Sequence, residues 1–221
     1  MSRRTLFIGD VHGCYDELIA LTIKISLIPE DHLYFVGDLI NKWPKSLEVI
    51  DWIHARPNTW SVIGNHELYS LVQYGEDTWV WDRTWREIQW WKSQDLRNIL
   101  RENWYDRWLL SLPHIIEDEN FIVVHGGLHP EYWLDTPKEI ATLIRVYKWQ
   151  PWYTYYEWEK PIIYGHWAAD GLRIRSNTIW LDTGCCFGGH LTAYCIETRE
   201  IWQVRADTVY KEPENWKIKS P

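Results

Sequence analysis

The sequence predicts an α/β fold in which two mixed β-sheets pack face to face as a β-sandwich flanked by helices. The first half alternates short β-branched or aromatic runs with longer amphipathic stretches, the pattern of βα units wound on a sheet. The second half is mostly short strands separated by Gly-rich or polar turns. A chain that begins βαβα and ends in strands is expected to stack two sheets through their apolar faces.

The first strand is expected at residues 5–8 and is followed by a turn at 9–13. Tyr15, Leu18, Ile19 and Thr22 then recur at helical spacing to about Lys24. Residues 33–36 form the second strand. Leu47, Ile50 and Ile53 mark a helix entered through a Trp-Pro step, and residues 59–63 supply the third strand. From 68 to 112 the pattern is helical, with Trp81, Trp85 and Ile88 on one face and Trp104, Trp108 and Leu112 on another, until Pro113 interrupts it. This stretch is expected to be a helical insert in a single domain covering residues 1–221. Strands follow at 121–124, 162–164, 178–181, 191–196 and 201–204.

Composition narrows the chemistry. With 221 residues and 46% apolar content, the chain can bury one substantial core. A formal charge of -8 argues against an extended nucleic-acid surface or salt-driven attachment to an anionic membrane, which leaves a small or metal-bridged partner. No apolar run approaches the roughly 20 residues needed to span a bilayer. The cysteines Cys14, Cys185, Cys186 and Cys195 form no Cys-x-x-Cys pair, and the N-terminus lacks the apolar core of a signal peptide, so reduced thiols and a cytoplasmic setting are expected. The adjacent Cys185 and Cys186 invite a zinc or redox reading, but no second pair completes a site, and small buried hydrophobes are the default. The 18 tryptophans follow no repeat and are expected to serve packing.

Five expected strands end in glycine-flanked polar clusters: Gly9-Asp10-Val11-His12-Gly13, Gly37-Asp38, Gly64-Asn65-His66-Glu67, His125-Gly126-Gly127 and Gly165-His166. Strand ends are where α/β proteins place ligands, so these clusters can converge on one edge. Carboxylate oxygen and imidazole nitrogen together suit borderline divalent metals such as manganese, iron, zinc and nickel. A single Gly-Asp or Gly-His pair is usually only a turn; five in order point to a metal site.

These motifs, from Ile8 to about Val204, resemble those of the phosphoprotein-phosphatase-type branch of the calcineurin-like metallophosphoesterases. Residues 9–18, the Asn41-Lys42 pair and the segment 181–189 are similar to symmetrical diadenosine-tetraphosphatase-like phosphatases. The resemblance implies the calcineurin-like metallophosphoesterase fold and two divalent ions, manganese first, with iron, zinc, nickel or cobalt as alternatives. It implies that Asp10, His12 and Asp38 hold one ion and that Asp38, Asn65, His125 and His166 hold the other. A metal-bridging hydroxide then attacks phosphorus in line, and His66 is the general acid. Glu67 is expected to be structural.

The pattern also departs from the wider branch. Where Asp-Arg-Gly is common, this chain has Asn41, Lys42 and Trp43. Asn41 is expected to orient His66 without the full charge of an aspartate, and Lys42 to meet phosphate as a point charge. Trp43, where glycine is expected, can cap the phosphate pocket, reshape it or reduce activity. The resemblance assigns phosphate binding to Arg145 and adds Asn65; Arg173 is a weaker candidate. Tyr147, Trp149, Trp152, Tyr153, Tyr155, Tyr156 and Trp158 form an aromatic stretch that either stacks a nucleobase or packs as a lid. His32, His54, His114, His129 and His190 lack the strand-end setting. The expected activity is hydrolysis of a nucleoside polyphosphate such as diadenosine tetraphosphate, with a small phosphorylated substrate, a nucleotide, as the partner. A Ser/Thr protein phosphatase is the alternative, and an inactive nucleotide- or phosphate-binding module stands behind both.

Overall fold

The structure, a computed structural model, describes residues 3–42, 45–71, 94–168 and 171–212. In the first sheet β1 (Thr5–Ile8), β2 (His32–Phe35) and β3 (Thr59–Ser61) run parallel. On the other side of β1, β11 (His190–Cys195) and β12 (Ile201–Arg205) continue the sheet antiparallel, giving the order β12-β11-β1-β2-β3. The second sheet has the order β4-β5-β8-β10-β9, from β4 (Ile115–Glu117), β5 (Ile122–Val124), β8 (Ile162–Tyr164), β10 (Thr178–Trp180) and β9 (Arg173–Ile174). Its central strands β5, β8 and β10 are parallel and its two edges antiparallel.

Side chains divide between layers with the period of two that a strand imposes. Leu6 and Ile8 face the helices while Phe7 between them faces the second sheet. Likewise Ile122 and Val124 point outward, whereas Val123 joins Phe7, Val36, Val62, Ile163 and Ile179 between the sheets. Phe121 sets its ring edge against Phe7 at 4.9 Å and against Tyr34 at 4.9 Å, in the edge-to-face arrangement aromatic quadrupoles favour.

The outer face of the first sheet is covered by α1 (Tyr15–Ile25), α2 (Ser46–Ala55), α3 (Asn65–Leu71), α4 (Gln94–Glu102) and α5 (Tyr105–Ser111). Leu18, Leu21, Val49, Ile50, Ile53, Leu100 and Leu109 supply that contact. The outer face of the second sheet is covered differently. A short α6 (Lys138–Ala141), a hairpin of β6 (Val146–Tyr147) and β7 (Gln150–Pro151), and the aromatic stretch beyond it lay Ala141, Ile144, Trp152 and Tyr156 over Ile122, Val124, Ile162 and Tyr164.

The expected strands are present, with altered ends. β3 stops at Ser61 because the Ile63 amide donates to the Pro113 carbonyl and leaves the ladder. The short strands β4, β6, β7 and β9 were not foreseen. The helical stretch begins at Asn65 rather than Leu68. Trp104 breaks it between α4 and α5 with a φ of 64° and stands 64% exposed, so the expected face of Trp104, Trp108 and Leu112 does not form; Leu109 and Leu112 are the buried residues. Trp81, Trp85 and Ile88 lie outside the described residues.

Candidate metal centre

The C-terminal ends of β1, β2 and β3 in one sheet and of β5 and β8 in the other meet at one edge of the sandwich. They carry there Asp10, Asp38, Asn65 with His66, His125 and His166 respectively. The turns are tight enough that His12, Asp38 and His166 take left-handed φ values of 50°, 51° and 72°. A non-glycine residue holds such a conformation only where its surroundings determine it, as at ligand sites. The flanking glycines explain part of that close approach. A Cβ at Gly64 would lie 2.1 Å from Asp38 Oδ1, and one at Gly165 would lie 2.0 Å from Asp10 Oδ1.

Asp38 is the centre of the cluster. Its Oδ2 lies 3.5 Å from His12 Nε2, 3.7 Å from His66 Nε2 and 3.4 Å from His125 Nε2. Asp10 Oδ2 is 3.9 Å from His12 Nε2. Asn65 Oδ1 is 2.9 Å from His125 Nε2 and 2.8 Å from His166 Nδ1. All six residues expected to hold metal, and His66, are therefore brought together. Two imidazoles are oriented from behind: His125 Nδ1 lies 2.7 Å from the Val36 carbonyl and His12 Nδ1 lies 3.3 Å from the Ile40 carbonyl, which turns both Nε2 atoms inward.

Burial, reinforced by Lys42, depresses the His12 pKa to about 3. Burial also holds His66 and His166 well below the ordinary imidazole range, which keeps His166 in the neutral form that ligates metal. Burial works against the charge on Asp38, but His125, His66 and His12 outweigh it and hold the carboxyl well below its usual range. Asp10 is raised well above that range by burial and by the nearby Asp182 and Asp38. Burial works against His125 too, but Asp38 outweighs it and raises this imidazole, so buried acids and imidazoles balance one another in a donor set suited to cations.

Glu67 ties these loops together. Its Oε1 accepts from the amides of Leu39 at 2.8 Å and Ile40 at 3.1 Å, and its Oε2 from those of Asp38 at 2.9 Å and Gly64 at 2.8 Å. The Asp38 side chain in turn accepts from the His66 amide at 2.9 Å.

Around this cluster, Lys42 Nζ sits 2.7 Å from His12 Nε2 and over the Phe187 ring. Asn41 Nδ2 donates to Ser70 Oγ of α3 and its Oδ1 accepts from the Lys42 amide, so it braces the helix that begins with Asn65 and His66. Arg145 is exposed, with Nη2 3.4 Å from the His166 carbonyl and the guanidinium over Trp167. Arg173 lies over the Trp180 ring, and Trp43 falls outside the described residues. Asp182, directly after Leu181, belongs with the site although it lacks the adjacent glycine that marks the other acids in the sequence. It is 4% exposed, electrostatically joined to Asp10, and follows β10 as the other acids follow their strands.

The aromatic stretch requires a correction. Trp152 is 1% exposed, donates from Nε1 to the Gly126 carbonyl at 3.0 Å and packs edge-on to Tyr164, so it is core and cannot stack a nucleobase. Trp158 is half-exposed and packs edge-on to Trp133 at 4.7 Å.

The residues present fit divalent cations. Their donor atoms are oxygen and imidazole nitrogen, mostly 2.8 to 3.9 Å apart, close to the spacing of neighbouring donors on an ion at about 2.1 Å. The family profile described as calcineurin-like phosphoesterase matches residues 3–191. The chain belongs to the calcineurin-like phosphoesterases. As a member of that family it is a hydrolase acting on phosphoester or phosphoanhydride bonds, and divalent metal ions are implied at its site. Two similar relatives are named symmetrical bis(5'-nucleosyl)-tetraphosphatase. The one from Dechloromonas aromatica is 28% identical over 90% of this chain and 95% of its own length, and the one from Neisseria meningitidis is 28% identical over 90% and 94%. A crystal structure assigned as a diadenosine tetraphosphatase aligns with a TM-score of 0.73 and 27% identity, covering 93% of this chain and 95% of that one. A protein serine/threonine phosphatase from Saccharomyces cerevisiae shares the fold at 16% identity and a TM-score of 0.55, covering 96% and 82%.

Proposed function

We propose that this phosphoesterase hydrolyses nucleoside polyphosphates, with symmetrical cleavage of diadenosine tetraphosphate as the specific reaction. The observation that carries this reading is the convergence of Asp10, His12, Asp38, Asn65, His125 and His166, with Asp38 central. The named relatives, which cover nine-tenths of the chain, support the choice of substrate. Two divalent cations, manganese first, supply the charge that makes a water nucleophilic at neutral pH. Asp10, His12 and Asp38 would hold one, and Asp38, Asn65, His125 and His166 would hold the other.

His66 donates a proton to the departing phosphate oxygen. Asn41 positions it through α3 and adds no charge, so the imidazolium that gives up its proton, and leaves as neutral imidazole, is supported by Asp38 alone. Lys42 neutralises a phosphate oxygen at the His12 edge of the cluster, and Arg145 a second at the His166 edge. The thiols, all free and buried, accord with a cytoplasmic setting.

Diadenosine tetraphosphate, nucleoside diphosphates, capped RNA and a phosphopeptide should be compared at equal manganese concentration. ADP as the sole product of the first, at the highest kcat/KM of the panel, is the expected result. Preference for the phosphopeptide would replace this reading with a protein phosphatase, and nucleotide binding without turnover of any substrate would replace it with a binding module.

A further inference from the structure

On the helix side of the first sheet, three buried groups from distant parts of the chain converge. Cys14 immediately precedes α1, Glu17 lies in its first turn, and Cys185 opens the 3-10 turn after Asp182-Thr183-Gly184. Both sulfurs and a carboxylate oxygen of Glu17 lie within 4.8 Å of one another, and the three residues are 0%, 2% and 2% exposed. Two thiols alone would be explained as small apolar groups in a core. Glu17 is not explained that way. Its Oε1 accepts from the Asp207 amide at 3.2 Å and from the Tyr210 hydroxyl, while Oε2 is buried with no hydrogen-bond partner among the described residues. A carboxylate oxygen withdrawn from water with nothing to bind is a costly arrangement that a protein keeps when a ligand completes it.

We propose that Cys14, Glu17 and Cys185 form a second metal site, a zinc site with two thiolates and one carboxylate. Thiolate sulfur with a carboxylate oxygen is a zinc donor set rather than a magnesium or calcium one. A tetrahedral zinc with Zn–S bonds of about 2.3 Å holds its sulfurs roughly 3.8 Å apart, compatible with donor atoms that all lie within 4.8 Å of one another. The two thiol protons leave to solvent as the ion enters, and a water or the second Glu17 oxygen fills the fourth position. Such an ion is structural. It clips the loop bearing Asp10 and His12 to the turn after Asp182, and through Glu17 to Asp207 and Tyr210 beyond β12.

Cobalt(II) separates this site from the Asp38 cluster, because only sulfur ligands give an intense thiolate-to-cobalt absorption in the near ultraviolet. The full chain, stripped of metal and kept reduced, is titrated with cobalt(II). That absorption is expected to saturate at one ion per chain, to persist in Asp38→Asn and Cys195→Ser, and to vanish in Cys14→Ser and Cys185→Ser. Glu17→Gln, which keeps both sulfurs, should retain the absorption and bind at least tenfold more weakly. Absence of the absorption in the unmodified chain overturns the proposal even if a cysteine variant fails to fold, as does its survival in both serine variants.

Discussion

At the scale of single residues, Glu67 and His66 are neighbours with separable tasks. Glu67 accepts four backbone amides and touches no substrate position, so its removal strands buried donors in the loops that carry Asp38 and Asn65. Each stranded donor costs about 1–3 kcal/mol, and Glu67→Ala should therefore lower unfolding free energy by more than about 3 kcal/mol in a urea titration. Burial and Asp38 raise its carboxyl to about 7, and Glu67→Gln should be the milder change because the amide oxygen still accepts two of the four amides. His66 should behave in the opposite way. His66→Asn should leave stability within about 1 kcal/mol but slow diadenosine tetraphosphate hydrolysis by about 10²–10⁴-fold. An aryl phosphate with an acidic leaving group needs no proton and should lose far less. Equal losses on both substrates would remove His66 from the role of acid.

At the scale of elements, the aromatic stretch shows what spacing conveys and what it leaves out. Trp152→Ala empties a space under Gly126 and Tyr164 and should cost about 3–5 kcal/mol, whereas Trp158→Ala, half-exposed, should cost about 1 kcal/mol or less; neither should change KM for a dinucleotide selectively. The sequence shows that aromatics are dense there but not which one turns inward, because that depends on a contact with Gly126, 26 residues away. The metal-site residues were legible for the opposite reason. Asp10, Asp38 and His125 each follow an apolar run and flank a glycine, a signal written locally. Asp182 carries half of that signal, coming after a strand but separated from its glycine, and received no role. β4 and β9, at three and two residues, are too short for a period of two to register, and the left-handed turn at Trp104 has no composition that announces it.

A second element-scale contact links pH to the start of the sheet. Arg4, next to β1, donates from Nε to Asp31 Oδ1 at 3.1 Å, and its Nη1 reaches the Ile25 carbonyl at the end of α1. Burial raises the Asp31 carboxyl, but the hydrogen bond from Arg4 and the amide of Ile28 outweigh it and the net shift is downward. A depressed folded pKa means that the pair's stabilisation is complete above the unfolded aspartate value of about 3.9 and is lost as pH falls from there through the folded value. Asp31→Asn should cost about 2 kcal/mol at pH 7, and its denaturation midpoint should converge with that of the parent only below about pH 3.9. A gap that is unchanged down to pH 2 would show that the pair contributes through packing and not through charge.

At the scale of the molecule, the residues proposed to hold metal come from both sheets: Asp10, His12, Asp38 and Asn65 from one, His125 and His166 from the other. The sheets otherwise meet through the apolar layer of Phe7, Val36, Val123, Ile163 and Ile179, so cations at their shared edge add a polar clamp to a greasy contact. Ions that bind only the folded chain stabilise it by mass action, about 2.7 kcal/mol at a free concentration one hundred times Kd. For a domain of this size about 1 kcal/mol moves Tm by roughly 2–4 °C, so manganese added to chelator-treated protein should raise Tm by about 5–11 °C for each ion bound. Asp38→Asn removes the central carboxylate from both proposed ion positions and should abolish that rise while leaving the sheets folded. Manganese is the informative ion because the Cys14–Glu17–Cys185 group, with its two sulfurs, prefers zinc and should respond to it weakly. A manganese-dependent rise in Tm of equal size in Asp38→Asn would mean that the ions bind elsewhere, and the assignment of the cluster to metal would fall with it.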